Sequence, residues 1–279
     1  MEMKRKKKHQ YNGNKHATDD SSAVVQQICS VKSQTNAIFS LTTSSNPNPK
    51  KLGPFSDRQR ILIVGDGDFS FSLSLAVFLG GKNLVATCYD SKSDLNKKYS
   101  NALLNADALE TAGAEVHFNV NATCLEKESW ISNTHPYHSI VFNFPHVGGG
   151  TEADVTSNQK LLRDFFYSTR KYLHPTRGQV LVSLRNTLFY NRWKIQEQAK
   201  MSGFNLKRTE LFDASIYSGY EPQRTYPALI RAEPPSTAGA KYFVFILAKS
   251  IEVVRPRQKA SRMLSDVEGA CVNKVRLCL

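Results

Sequence analysis

From Arg60 onward, short aliphatic and β-branched runs alternate with segments whose apolar residues recur every three or four positions. This alternation constrains the fold more than any other feature. A strand that returns parallel to its predecessor needs a helix-sized crossover, so the product is an α/β sheet covered by helices. Strands are predicted at 61–64, 84–89, 116–120, 139–142 and 179–184, with a final pair at 204–211 and 241–248. Helices are predicted over 69–79, 95–109, 154–173 and 193–202. Gly80-Gly81, Gly113 and Gly203 mark the ends of the first, second and last of these.

In a parallel α/β sheet, ligands lie outside the carboxyl ends of the strands. Four of the predicted strands run into polar turns: Gly65-Asp66-Gly67-Asp68, Asp90, Asn121, and Asn143-Phe144-Pro145-His146. The two glycines let backbone approach a ligand closely and expose amides at a helix start, although a Gly-Asp-Gly turn also serves simply as a turn. Asp90 lies 25 positions after Gly65. A carboxylate there can accept from both ribose hydroxyls of an adenosine, with Asn121 beside the adenine; the plainer alternative is a pair of strand-end caps. Ser70 stands where a dinucleotide fingerprint has its third glycine, which disfavours close passage of a pyrophosphate. An adenosine ligand without a diphosphate fits better, S-adenosylmethionine first and NAD as the alternative.

Asn143-Phe144-Pro145-His146 resembles the Asn/Asp-Pro-Pro-aromatic turn of nucleic-acid methyltransferases that act on base nitrogens. By that analogy Asn143 holds the target nitrogen, Phe144 or His146 stacks on the base, and His146 is available as a general base. The base must be unpaired or brought out of its stack. Val147-Gly148-Gly149-Gly150 follows as a flexible lid or substrate loop. Basic and aromatic residues gather downstream at Arg185, Tyr190, Arg192, Trp193, Tyr217, Tyr220 and Arg224, the mixture that holds unpaired RNA, with Trp193 the one best explained as core.

Taken in order, 61–75 (ILIVGDGDFSFSLSL), Ala86-Thr87-Cys88-Tyr89-Asp90-Ser91, Asn121-Ala122-Thr123, the turn at 143–146, Asn158-Gln159, and Tyr217-Ser218-Gly219-Tyr220 with Arg224-Thr225 closely resemble the ribosomal-RNA uridine N(3)-methyltransferase-like family of fungal and plant proteins. The resemblance covers about 60–249. It implies a single Rossmann-like domain with the class I S-adenosylmethionine-dependent methyltransferase fold, acting on a uridine of large-subunit (25S) ribosomal RNA in the pre-ribosome. Carried over by position, Gly65, Asp66, Gly67, Asp68, Phe69, Asp90, Asn121 and Ala122 would line the cofactor. Asn143, Pro145 and His146 would act at the target base, and Phe144, Arg185, Tyr190, Tyr217, Tyr220 and Arg224 would bind substrate. The sequence departs from the family at Asp66 (often Glu), Arg185 (usually Lys), 187–190 and Ser218 (usually Pro). A catalytically silent RNA-binding or ribosome-assembly module is therefore the reading to weigh against an enzyme.

The net charge of +13 bears on the partner only once it is partitioned. Residues 1–60 hold 11 basic and 4 acidic side chains, 61–249 hold 20 and 17, and 250–279 hold 6 and 3. The excess sits in the two ends, which fits salt-sensitive contact with RNA. Expected domains are a disordered basic extension at 1–55, the methyltransferase domain at 56–250 and a basic tail at 251–279. The Lys4 to Lys8 run points to the nucleus and nucleolus, with cytoplasm as the alternative. No apolar stretch reaches the roughly 20 residues of a membrane span, and neither a secretory signal nor a zinc motif is expected from these residues. The remaining expectations are no metal and a monomer.

Overall fold

The computed structural model describes residues 48–224 and 235–248. In chain order the elements are β1 (Lys51–Leu52), β2 (Phe55–Ser56), β3 (Ile61–Val64), α1 (Ser70–Leu79), β4 (Leu84–Thr87), α2 (Lys92–Lys98), α3 (Ala102–Thr111), β5 (Glu115–His117), α4 (Ile131–Thr134), β6 (Ser139–Asn143), α5 (Glu152–Thr169), β7 (Gln179–Leu184), α6 (Leu188–Asn191), α7 (Ile195–Met201), β8 (Phe204–Leu211) and β9 (Lys241–Leu247). Strands β3 to β9 make a seven-stranded sheet in the order β5-β4-β3-β6-β7-β9-β8. The pairings from β5 to β7 are parallel; β9 runs antiparallel to both β7 and β8. The alternating pattern predicted such a helix-covered α/β sheet, and its strand order is the Rossmann-like, class I methyltransferase arrangement that the family resemblance implies.

Both faces of the sheet are buried, as a parallel sheet requires. Along β3, Ile61 and Ile63 point into one core with Phe71 and Leu75 of α1, Leu95 of α2 and Leu109 of α3. Leu62 and Val64 point into the other, with Leu162, Phe165 and Phe166 of α5 and Ala199 of α7. That two-residue period is why these strands read as unbroken apolar runs. Edge strand β8 alternates instead, one side of it facing water.

Three expectations need correction. The expected disordered extension reached residue 55, yet β1 and β2 form a hairpin across Gly53, and Phe55 is buried against Phe71 and Tyr242. One core-seeking phenylalanine beyond a tight turn outweighs the polar composition around it. The helix predicted over 95–109 is two helices, because Tyr99 is extended and sends its hydroxyl to the carbonyl of Arg224, 2.7 Å away. The 193–202 helix begins at Ile195, preceded by the short α6. The rest of the expected extension and the whole 251–279 tail lie outside the described residues, as do Lys4 to Lys8.

Candidate active site

Strand β3 has β4 on one side and β6 on the other, and strand order runs outward from it in both directions. The crevice of an open α/β sheet forms at such a point. The pairing of Val64 with Phe142 sets Gly65 and Asn143 side by side just past the buried strands. The two motifs singled out in the sequence are therefore neighbours.

Gly65 has φ +64°, and a β-carbon there would lie 2.6 Å from the Phe142 ring, so no other residue fits. The next turn is a network of short polar contacts. Asp66 is buried and its Oδ2 accepts from the Ser72 amide (2.8 Å) and hydroxyl. Desolvation first, and the nearby Asp68 charge second, push its carboxyl up to about 7. Asp68 accepts from the Ser70 amide (3.0 Å) and hydroxyl (2.7 Å) and from Gln223 Nε2 (2.8 Å). Gln223 belongs to the segment 217–224, which straps across this turn. It is fixed by the Tyr99 hydroxyl on the Arg224 carbonyl and by the Glu221 amide on Ser70 Oγ (3.2 Å). A β-carbon on Gly67 would lie 3.3 Å from Gln223.

At the end of β4, Asp90 is half-buried and takes Lys98 Nζ on Oδ1 at 2.5 Å. Asn121 is exposed, with its side-chain oxygen committed to the Thr123 amide (2.9 Å) and hydroxyl (2.8 Å), while Ala122 is core. An S-adenosylmethionine fits the acceptors that remain. Asp90 Oδ2 would be left to accept from ribose hydroxyls and Asp66 Oδ1 from an ammonium group. The Gly67 backbone is open to the ligand only if the Gln223 side chain moves aside.

The turn after β6 is built differently. Asn143 Oδ1 accepts from Ser183 Oγ at 3.0 Å, while its Nδ2 is buried and has no partner. The fully buried Ser183 is opposite Asn143 in the β6–β7 register, and its hydroxyl also accepts from the Phe144 amide (3.1 Å). Phe144 itself adopts φ +47°, a strained geometry for a bulky residue and one that clusters at functional sites. Pro145 is buried. The half-buried His146 lies within 6.2 Å, ring centre to ring centre, of Phe189, Tyr190 and Trp193. Its Nδ1 accepts from the Gly148 amide at 2.7 Å, so the neutral ring carries its proton on Nε2. Burial is the larger influence on this ring and holds its protonation below the usual histidine range.

The glycine run, expected to be a flexible lid or substrate loop, bends at Gly148 and is tied at its start to α5. Gly148 and Gly149 have φ +93° and +75°, and Asn158, completely buried, takes the Val147 amide on Oδ1 (3.0 Å). Three further expectations change. Phe69 is fully buried at a left-handed helix start, edge-on to Phe118, so only its backbone can face a ligand. Tyr217 is core, its hydroxyl 3.3 Å from that of Tyr242, and Tyr220 packs edge-on against Phe71. Tyr217 is enclosed and has no face left for a base, whereas Tyr220 is partly buried. Arg185 and Tyr190 do stand beside the turn, and Arg224 contributes its carbonyl to the strap. Ser183, Gln223 and Ser72 were missed. A strand serine carries no signal until the register pairs it with Asn143.

Comparison with known proteins places the chain in a family. Residues 62–224 match the family described as BMT5-like, rRNA (uridine-N3-)-methyltransferase BTM5-like. An uncharacterized protein of Arabidopsis thaliana is 32% identical over 182 residues, covering 63% of this chain and 86% of its own length. The 25S rRNA (uridine(2634)-N(3))-methyltransferase of Saccharomyces cerevisiae is 25% identical over 253 residues, covering 71% and 75%. Among solved structures, TrmN from Thermus thermophilus overlays with a TM-score of 0.41 at 17% identity, covering 76% of this chain and 48% of that one. The family match spans both turns at the crevice as well as the strands that carry them, and on that ground the chain belongs to the BMT5-like family of S-adenosylmethionine-dependent methyltransferases.

Proposed function

We propose that this protein transfers the methyl group of S-adenosylmethionine to N3 of a uridine in large-subunit ribosomal RNA, with the nucleolus as its site of action. The observation that carries the reading is the Asn143 amide, held by Ser183 with its Nδ2 free at the switch point beside Gly65. Uracil presents a weakly acidic N3–H between two carbonyl oxygens. A methyl donor bound at the first turn supplies an electrophilic carbon attached to a positively charged sulfur. The N3 proton passes to solvent water as the nitrogen lone pair takes the methyl group; Asn143 Nδ2 donates to one uracil oxygen and His146 Nε2 donates to the other, taking up the negative charge that develops on the ring. In this reading His146 is a donor, because its other nitrogen is occupied by the Gly148 amide. That differs from the general-base role expected from the sequence. Tyr190 stands beside His146 where a flipped base would enter.

Labelled methyl transfer to ribosomal RNA, followed by mapping of N3-methyluridine, tests the assignment. Asn143→Ala should lose transfer while keeping cofactor binding; unchanged transfer would remove Asn143 from the mechanism. One observation favours the second reading, an RNA-binding module without transfer: Gln223 rests against Gly67 and is tied to Asp68. Calorimetry decides between them, since RNA binding without S-adenosylmethionine binding belongs only to the module. The NAD alternative has no counterpart in the family match.

A further inference from the structure

A cleft of about 520 Å3 opens at the carboxyl end of β7, between α6, α7 and strands β8 and β9. Its volume lies within the range of small-ligand sites. Arg185 directly follows β7, and the pairing of Leu184 with Lys241 places Lys241 across from the residue before it. Both cations are half-buried and line the cleft. Among the described residues, no carboxylate pairs with either. The acid in the lining, Glu197, already faces Lys194 Nζ at 3.4 Å. Two partly desolvated cations without a counter-charge are costly unless an anion joins them.

The walls supply the other half of a nucleotide site. Tyr190 lines the cleft with one side of its ring against Trp193, at 4.6 Å between centres, and Phe243 of β9 lines it from across. Tyr190 is also one of the rings around His146, so the cleft and the catalytic turn share a wall. An apolar ligand would leave Arg185 and Lys241 unpaired, and a cation would be repelled by them.

The geometry points to this cleft as the seat of a nucleotide next to the target uridine in single-stranded RNA. Its phosphodiester is held by Arg185 and Lys241, and its base lies against Tyr190 and Phe243. The inference rests on the RNA reading proposed above and adds a second subsite to it. The enzyme grips the strand through a neighbour while the target base turns toward Asn143.

The test uses the full chain, a labelled single-stranded heptaribonucleotide containing one uridine, and a salt series read by fluorescence anisotropy. Lys241→Gln should weaken binding about fivefold and flatten the salt slope by roughly 0.7, the share of one lost phosphate contact. Lys241→Arg should restore most of the affinity, and S-adenosylmethionine affinity measured by calorimetry should stay the same. In turnover the loss should fall on KM for the oligonucleotide and leave kcat in place. Equal RNA affinity and slope in Lys241→Gln and the native protein would overturn the subsite and leave the proposed function standing. Failure of the native protein to bind the heptaribonucleotide, with cofactor binding intact, would overturn the RNA reading and the subsite with it.

Discussion

The turns after β3 and β6 lie side by side at one end of the sheet, yet they are built on opposite principles. In the first, the side-chain polar groups are largely spoken for: Asp66 by Ser72, Asp68 by Ser70 and Gln223. In the second, a buried amide nitrogen has no partner and a phenylalanine holds a left-handed backbone. The first turn crowds two carboxyls into a dry place where the fold favours the neutral form of Asp66, and a ligand reaching the Gly67 backbone must move the Gln223 side chain. The second keeps a donor aimed and waiting, supported from below by Ser183. The two turns therefore differ in what they hold: acceptors already engaged in the first, a buried and unpartnered donor in the second.

The sharpest way to break this contrast is Asn143→Ala. Loss of a fixed donor at a developing charge should lower kcat by about 10²- to 10³-fold, with cofactor affinity unchanged by calorimetry. If the donor were dispensable, the second turn would be only a strand exit.

Asp66→Asn probes the first turn through pH. The Asp66 carboxyl is raised from 3.8 to about 7 in the folded protein, so the fold favours its neutral form. That contribution is complete below the unfolded value and is lost as pH rises through 7. The Asn variant should therefore gain stability over the native protein as pH climbs from 4 to 7 and hold that gain above, on the order of 2–4 kcal/mol by thermal unfolding. The same change should weaken cofactor binding at pH 8 and remove its pH dependence, since an ammonium group prefers the ionised acid. A variant that binds as well as the native protein would take Asp66 out of the cofactor site.

Ser183→Ala should lower kcat about tenfold, the cost of one orienting hydrogen bond, without a shift in cofactor affinity. A smaller effect than that of Asn143→Ala is itself the expectation, because Ser183 acts through the asparagine. Gln223→Ala should show the smallest change and the opposite sign. Freeing Gly67 and Asp68 from the strap should raise cofactor affinity about two- to fivefold. A fall would mean that the strap is part of the cofactor site in its present position.

The first turn was legible in the sequence because its constraints are local: two glycines, an acid and a strand before them. The parallel strands were legible for the same reason, each being apolar on both faces. What escaped was whatever depends on partners far along the chain. Ser183 matters only through a register with a residue 40 positions earlier. Tyr217 and Tyr220 read as an aromatic RNA surface, but Phe71 and Phe212 were already there to pack against them. Phe55 sat in polar surroundings that masked one strong apolar contact. The acceptor role of His146 Nδ1 depends on where a glycine amide falls after a left-handed turn, and composition says nothing of that.

Strand β9 is threaded between β7 and β8, although it is the last strand of the described body. During synthesis β7 must therefore wait with an unpaired edge until residues 241–247 leave the ribosome, and β8 has no place in the sheet before then. A nascent chain halted ahead of Lys241 exposes a long apolar strand edge, open to pairing with other chains. It also lacks the floor of the cleft beside Arg185. The last strand of the described body thus completes the sheet and the cleft together.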